Sequence, residues 1–163
     1  EQEGNLGPRY YCFNPTQDIV YFSDEQGCSV TAYNMDSSAG TLSAFQTITT
    51  LPEGVTQRNT CSQIQVSASG RFLYAPNRGH DSIACFSIDL ATGQLTGNGI
   101  VASEARPNAL CLGPQDRFLY SAGQESGRMA SFSVNPDSGK LTPLETYALG
   151  NAPVWVSITE LAE

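Results

Sequence analysis

The densest gathering of reactive side chains is Asn77-Arg78-Gly79-His80-Asp81, which sets a guanidinium, the chain's only imidazole and a carboxylate side by side. Proton transfer near neutral pH needs a group whose proton affinity lies close to that pH. An unperturbed histidine titrates at about 6.5, close to working pH, so His80 could exchange a proton there. Arg78 and the other arginines are candidate anion partners, because a guanidinium presents a planar fork that matches carboxylate or phosphate. A purely local reading of His80 competes: in Gly-His-Asp the ring can close the turn on Asp81 or on a backbone carbonyl. No Gly-x-Ser-x-Gly elbow offers a serine nucleophile. With neither a second histidine nor an acidic ligand cluster, no metal and no cofactor is expected.

These residues are positioned by a repeat. SGRFLYAPNRGHDSIACFSIDLATGQL, from Ser69, and QDRFLYSAGQESGRMASFSVNPDSGKL, from Gln115, are two copies of one unit. Tyr21, Tyr74 and Tyr120 are equivalent, as are Gly40, Gly93 and Gly139, and Leu42, Leu95 and Leu141. The unit is about 46 residues, with one insertion of about seven between 50 and 59, a period typical of four-stranded propeller blades. Within it, β-branched and aromatic residues alternate with polar ones and are bounded by Gly, Pro, Asn, Asp and Ser, the signature of short antiparallel strands. In the middle unit strands are expected near Ser62–Val66, Phe72–Ala75, Ser82–Asp89 and Leu95–Ala102. The one helical possibility is short and lies between 52 and 59.

The predicted fold is all-β: a partial β-propeller with three four-stranded antiparallel blades at 7–59, 60–105 and 106–151. Residues 152–159 repeat only the first strand of a fourth. Propellers typically close with four to eight blades, so the outer blades would each expose an apolar face. The chain therefore reads as the C-terminal portion of a longer propeller, or as a half that self-associates. A net charge of -8 in 163 residues argues against nucleic acid or an anionic membrane as partner, and no apolar run reaches membrane-span length. The five cysteines are odd in number and lack metal-ligand spacing. Cys12 and Cys111 occupy equivalent first-strand positions suited to burial, and reduced thiols point to the cytoplasm.

In a four-stranded blade, the loop entering the first strand and the loop joining the second to the third emerge on one face. Those loops hold Arg9, Arg58, Arg78, Arg106 and Arg128, five of the eight basic residues, with His80; Arg71, Arg117 and Lys140 fall on the other face. Cations gathered at one mouth of an acidic protein suggest a pocket for an anionic small molecule. The plainer alternative pairs Arg9, Arg78 and Arg128 with Asp24, Glu25, Asp81 or Glu125, and this alternative is preferred for Arg58 and Arg128 taken singly.

Asn77-Arg78-Gly79-His80-Asp81-Ser82-Ile83, preceded by Gly70-Arg71-Phe72-Leu73-Tyr74, resembles the seven-bladed propeller lactonases, which include bacterial 6-phosphogluconolactonase and fungal carboxymuconate lactonizing enzymes. Gly7-Pro8-Arg9, Leu51-Pro52-Glu53-Gly54 and Asn59-Thr60 look like the same family in the same order. The resemblance implies the C-terminal half of a protein about twice as long, its last blade closed by the N-terminus. It implies a metal-free site that hydrolyses a sugar lactone such as 6-phosphogluconolactone or, in the fungal branch, closes a muconate to a lactone. Arg9, Glu25, Arg78, His80 and Asp81 match family residues. Because opening a lactone near neutral pH needs a base and an oxyanion donor, the resemblance implies His80 or Glu25 as base and Arg9 or Arg78 as oxyanion or phosphate partner. The expected catalytic set is His80, Arg78 and Glu25, and the expected substrate contacts are Arg9, Tyr10, Gln63, Asn77, Asp81, Asn108 and Gln124. Tyr10, Gln63 and Asn108 stand where the family usually has His, Glu and Arg. Each removes an ionisable group, which leaves a non-catalytic binding or assembly module as a further alternative.

Overall fold

Alternation with period two sends successive side chains to opposite faces of a strand. In the computed structural model, which describes residues 6–160, this is clearest in the middle blade, where every residue of the strand Phe72–Asn77 is buried. Leu73 and Ala75 pack toward the first blade, whereas Phe72 and Tyr74 pack toward the third. Three antiparallel four-stranded sheets result, each a meander in chain order. The first comprises β1 (Pro8–Phe13), β2 (Ile19–Asp24), β3 (Ser29–Asp36) and β4 (Thr41–Thr49). The second comprises β5 (Gln65–Val66), β6 (Phe72–Asn77), β7 (Ser82–Ile88) and β8 (Leu95–Ala102). The third comprises β9 (Pro107–Leu112), β10 (Phe118–Gly123), β11 (Arg128–Val134) and β12 (Leu141–Ala148). One core fills each seam: Ile19, Tyr21 and Val30 meet Leu73 and Phe86, and Phe72, Tyr74 and Ile83 meet Leu110, Leu119 and Phe132.

The repeated tyrosine and glycine are a seam device. Tyr21 Oη donates to the Gly93 carbonyl at 2.8 Å, and Tyr74 Oη donates to the Gly139 carbonyl at 2.8 Å. Both glycines hold positive φ, 71° and 68°, and a Cβ would strike Ile19 at Gly93 or the Phe72 ring at Gly139. Each end of the chain displays one half of the same device. Gly40 has nothing within 4 Å of where its Cβ would stand, and Tyr120 is only half-buried. Tyr11 and Phe13 on β1, and Val154 and Trp155 beyond β12, are exposed.

Three expectations change. The strand predicted at 62–66 shrinks to Gln65–Val66 and a single bridge between Cys61 and Asn77. Ser62 bonds out of the blade, its Oγ donating to the Pro107 carbonyl at 2.9 Å. No helix forms between 52 and 59, where Pro52 and the positive-φ Gly54 break the backbone. The one helical turn among the described residues is the 3₁₀ turn Pro114–Asp116. Residues 151–160, expected to hold the first strand of a further blade, form no ladder among the described residues. Among the described residues no helix is long and apolar enough to cross a membrane.

Candidate functional site

The β2–β3, β6–β7 and β10–β11 turns, together with the segments entering β5 and β9, border an open polar cavity of about 470 Å³. Three arginines line it, Arg58, Arg78 and Arg106, with three carboxylates, Glu25, Asp81 and Glu125, and the polar side chains of Asn59 and Thr60. Arg78 is the structural centre. Its backbone N–H donates to the Thr60 carbonyl at 2.9 Å, one guanidinium nitrogen donates to Glu25 Oε1, and the other lies 3.5 Å from Asn108 Oδ1. The side chain is only 9% exposed, and its Nε is buried with no partner among the described residues, a donor that costs free energy until an acceptor reaches it.

Glu25 Oε1 also accepts from Arg9 Nη1 at 3.1 Å. Partial burial works to raise the Glu25 carboxyl. The hydrogen bond and charge of Arg78, and then Arg9, outweigh it and hold the group below its ordinary value. A carboxylate held that way is a weak proton acceptor at neutral pH, so Glu25 orients Arg78 and does not suit the predicted role of base. Glu125 is likewise engaged, by Arg106 at 3.1 Å. Asp81 is in no ion pair among the described residues; its Oδ1 accepts from the Arg106 backbone N–H at 2.8 Å. It sits in the left-handed region, φ 51°, at the tip of a turn where aspartate is tolerated.

His80 does not line the cavity. Its Nδ1 lies 2.8 Å from Ser82 Oγ, and its backbone N–H donates to Asn59 Oδ1 at 3.1 Å. The local reading of the ring therefore describes the geometry, with Ser82 as the partner in place of Asp81 or a carbonyl.

Asn77, predicted to touch substrate, is fully buried. Its Oδ1 accepts from Thr50 Oγ1 at 2.7 Å and Asn59 Nδ2 at 2.9 Å, while Nδ2 donates to the Thr50 carbonyl at 2.9 Å. Thr50 and Asn59 are the two ends of the inserted segment, so Asn77 clamps its base from inside. Gln63 is a strut between blades, accepting from the Leu110 N–H at 3.3 Å. Tyr10 carries Arg9 over its ring at 5.4 Å. Gln124 lies outside the cavity lining and contributes a backbone bond to the Arg106 carbonyl at 2.9 Å. Asn108, buried, reaches the cavity only through Arg78.

Of the predicted site, the structure thus gathers Arg9, Glu25, Arg78, Asp81 and Asn108, and sets His80, Gln63, Asn77, Tyr10 and Gln124 apart. The expected catalytic and substrate contacts do not include Arg58, Asn59, Thr60, Arg106 and Glu125, which line the cavity. All five lie in the loops that sort to this face, and the insertion was the signal for the first two. Arg58 lines the cavity without an ion pair among the described residues, against the preference for simple pairing, whereas Arg128 does pair, with Glu104 at 3.5 Å.

Three-sheet geometry and seams define a partial β-propeller whose polar face is built from blade-entry loops. The sequence profile described as "Lactonase, 7-bladed beta-propeller" matches residues 1–158, and the chain belongs to that family. It is 32% identical over 155 residues to the 6-phosphogluconolactonase of Pectobacterium carotovorum, covering 95% of this chain and 47% of that protein. The Bacillus subtilis 6-phosphogluconolactonase is 32% identical over 151 residues, covering 92% and 43%. Among solved structures, the periplasmic gluconolactonase of Pseudomonas aeruginosa superposes with a TM-score of 0.85 at 28% identity, over 90% of this chain and 41% of that one. The chain spans about half the length of the curated relatives it matches.

Proposed function

We propose that the chain is the C-terminal half of a lactonase and that its arginine-lined cavity forms one side of the channel mouth where an anionic sugar lactone, such as 6-phosphogluconolactone, is opened. The observation that carries this reading is the convergence of Arg58, Arg78 and Arg106 on one cavity of a lactonase-family fold. Guanidinium groups bind phosphate or carboxylate in a planar, bidentate manner. Arg78, held by Glu25 and nearly buried, takes the developing oxyanion. Asp81, the lining carboxylate outside any ion pair, accepts the proton of the attacking water. Arg58 and Arg106 bind the anionic end of the substrate.

Further blades cover the exposed Tyr11–Phe13 and Val154–Trp155 faces, because apolar patches of this kind mark interfaces, and residues 152–159 become the first strand of the next blade. Cysteines left unpaired suit a reducing cytoplasm. The test is lactone opening by the full-length protein, followed against the spontaneous rate, with a muconate offered in parallel. Turnover of the phosphorylated lactone supports the reading. Turnover of the muconate alone would assign the site to ring closure, and binding without turnover of either would make it a binding module.

A further inference from the structure

The turn that carries Arg78 and Asp81 is held differently from its two equivalents. In the first blade the backbone N–H groups of Gln26 and Gly27 both donate to the Leu6 carbonyl at 3.0 Å. In the third blade the Glu125 N–H donates to the Ala105 carbonyl at 3.3 Å. Leu6, Asn59 and Ala105 are equivalent positions of the repeat, as are Gln26, Gly79 and Glu125. In the middle blade a side chain replaces the backbone acceptor: Asn59 Oδ1 accepts from the Gly79 N–H at 2.8 Å and from the His80 N–H at 3.1 Å.

Asn59 closes the insertion, and its own carbonyl accepts from Cys28 Sγ at 3.3 Å, which leaves the carboxamide to take the two amides. The side chain is buried, and its other end is engaged too, Nδ2 donating to Asn77 Oδ1 at 2.9 Å. Gln57, also in the insertion, donates from Nε2 to the Gly79 carbonyl at 2.9 Å, and the Arg78 N–H donates to the Thr60 carbonyl at 2.9 Å. The packing is close enough that a Cβ on Gly79 would strike the Arg58 carbonyl. Segment 57–60 and turn 78–80 are thus tied into one body, which carries Arg58 on one side of the cavity and Arg78 and Asp81 on the other. A misplacement of about 1 Å at such a site can cost about 10²-fold in rate.

We propose that Asn59 is a positioning residue of this site: its carboxamide fixes the β6–β7 turn, and through it sets Arg78 and Asp81 against the anion-binding Arg58. Asn59 itself transfers no proton and acts through those two side chains. The role deepens the lactonase reading and rests on it for turnover, whereas the tie between Asn59 and the turn stands on the hydrogen bonds alone. Arg58 and Arg106 keep their places when the turn is released, so losing Asn59 weakens the chemical step and spares ground-state binding of the anion.

Comparing Asn59→Ala with Asn77→Ala separates positioning from plain stability, because both break the bond between the two residues and only the first frees the turn. In the full-length protein, with 6-phosphogluconolactone, Asn59→Ala should lower kcat by about 10²-fold and leave KM within about threefold, while Asn77→Ala keeps kcat within about threefold. Asn59→Asp restores an acceptor for both amides but not the donor to Asn77; its kcat should return to within about threefold of wild type, with KM raised by the added negative charge. In the 163-residue chain, amide exchange followed by NMR should quicken about tenfold at Gly79 and His80 in Asn59→Ala and stay slow in Asn59→Asp and Asn77→Ala. Equal losses of kcat in Asn59→Ala and Asn77→Ala, wild-type kcat in Asn59→Ala, or Gly79 and His80 amides that stay protected without Asn59 would overturn the assignment. A full-length wild-type protein that opens no lactone would sink the lactonase reading instead, and the exchange rates would still decide whether Asn59 holds the turn.

Discussion

Arg78 and Glu25 belong to different blades and meet across the seam between them, the guanidinium of one donating to the carboxylate of the other. Glu25 is held below its ordinary value by that contact, so it ionises at lower pH in the folded chain than in the unfolded one. Such a pair stabilises the fold above the unfolded value, near 4.5, and the stabilisation drains away as pH falls through the folded value. Thermal melts should therefore separate wild type from Glu25→Gln at pH 7 and bring them together in acid below that point. A gap that does not change with pH would mean that Glu25 contributes nothing through its charge.

For His80 the geometry predicts little. Its ring is bound to Ser82 and lies outside the cavity lining, whereas a general acid or base typically contributes 10²-fold or more, by order of magnitude. In the full-length protein His80→Ala should lower kcat less than about tenfold. A loss of about a hundredfold would return the ring to the reaction.

Asn77→Ala should cost stability without touching the substrate. It removes a fully buried carboxamide and leaves Thr50 and Asn59 with unmatched polar groups, a loss of about 2–4 kcal/mol. Urea unfolding would measure it, and a change under about 0.5 kcal/mol, the size expected at an ordinary surface position, would refute the clamp.

The two seam tyrosines offer a matched pair. Tyr21→Phe and Tyr74→Phe each delete one hydrogen bond to a glycine carbonyl of the next blade, and each should cost about 1 kcal/mol. They serve different seams, so the double variant should show their sum to within about 0.5 kcal/mol. Tyr120→Phe lacks a glycine partner among the described residues and should be close to neutral in this chain.

Much of this fold was legible because blade strands are local: period-two alternation and turn residues at fixed offsets locate β6, β7, β8 and their equivalents. The misses lie where long-range contacts decide. Ser62 has strand-forming neighbours, yet its hydroxyl is drawn to Pro107 in the next blade and the ladder is cut to two residues. Asn77 stands beside Arg78 and His80 in the motif, and only the arrival of Thr50 and Asn59, from the two ends of the insertion, turns it into a core residue. Sorting loops by face did gather Arg58, Arg78 and Arg106. It could not tell which polar residues in those loops face the cavity, because that depends on neighbours in other blades.

The central claim rests on Arg78. Opening of 6-phosphogluconolactone by the full-length protein, followed beside the spontaneous reaction, should exceed that background, and Arg78→Ala should lower kcat/KM by about 10²–10³, the loss typical of a removed oxyanion donor. Wild-type kcat/KM in a folded Arg78→Ala protein would contradict the account.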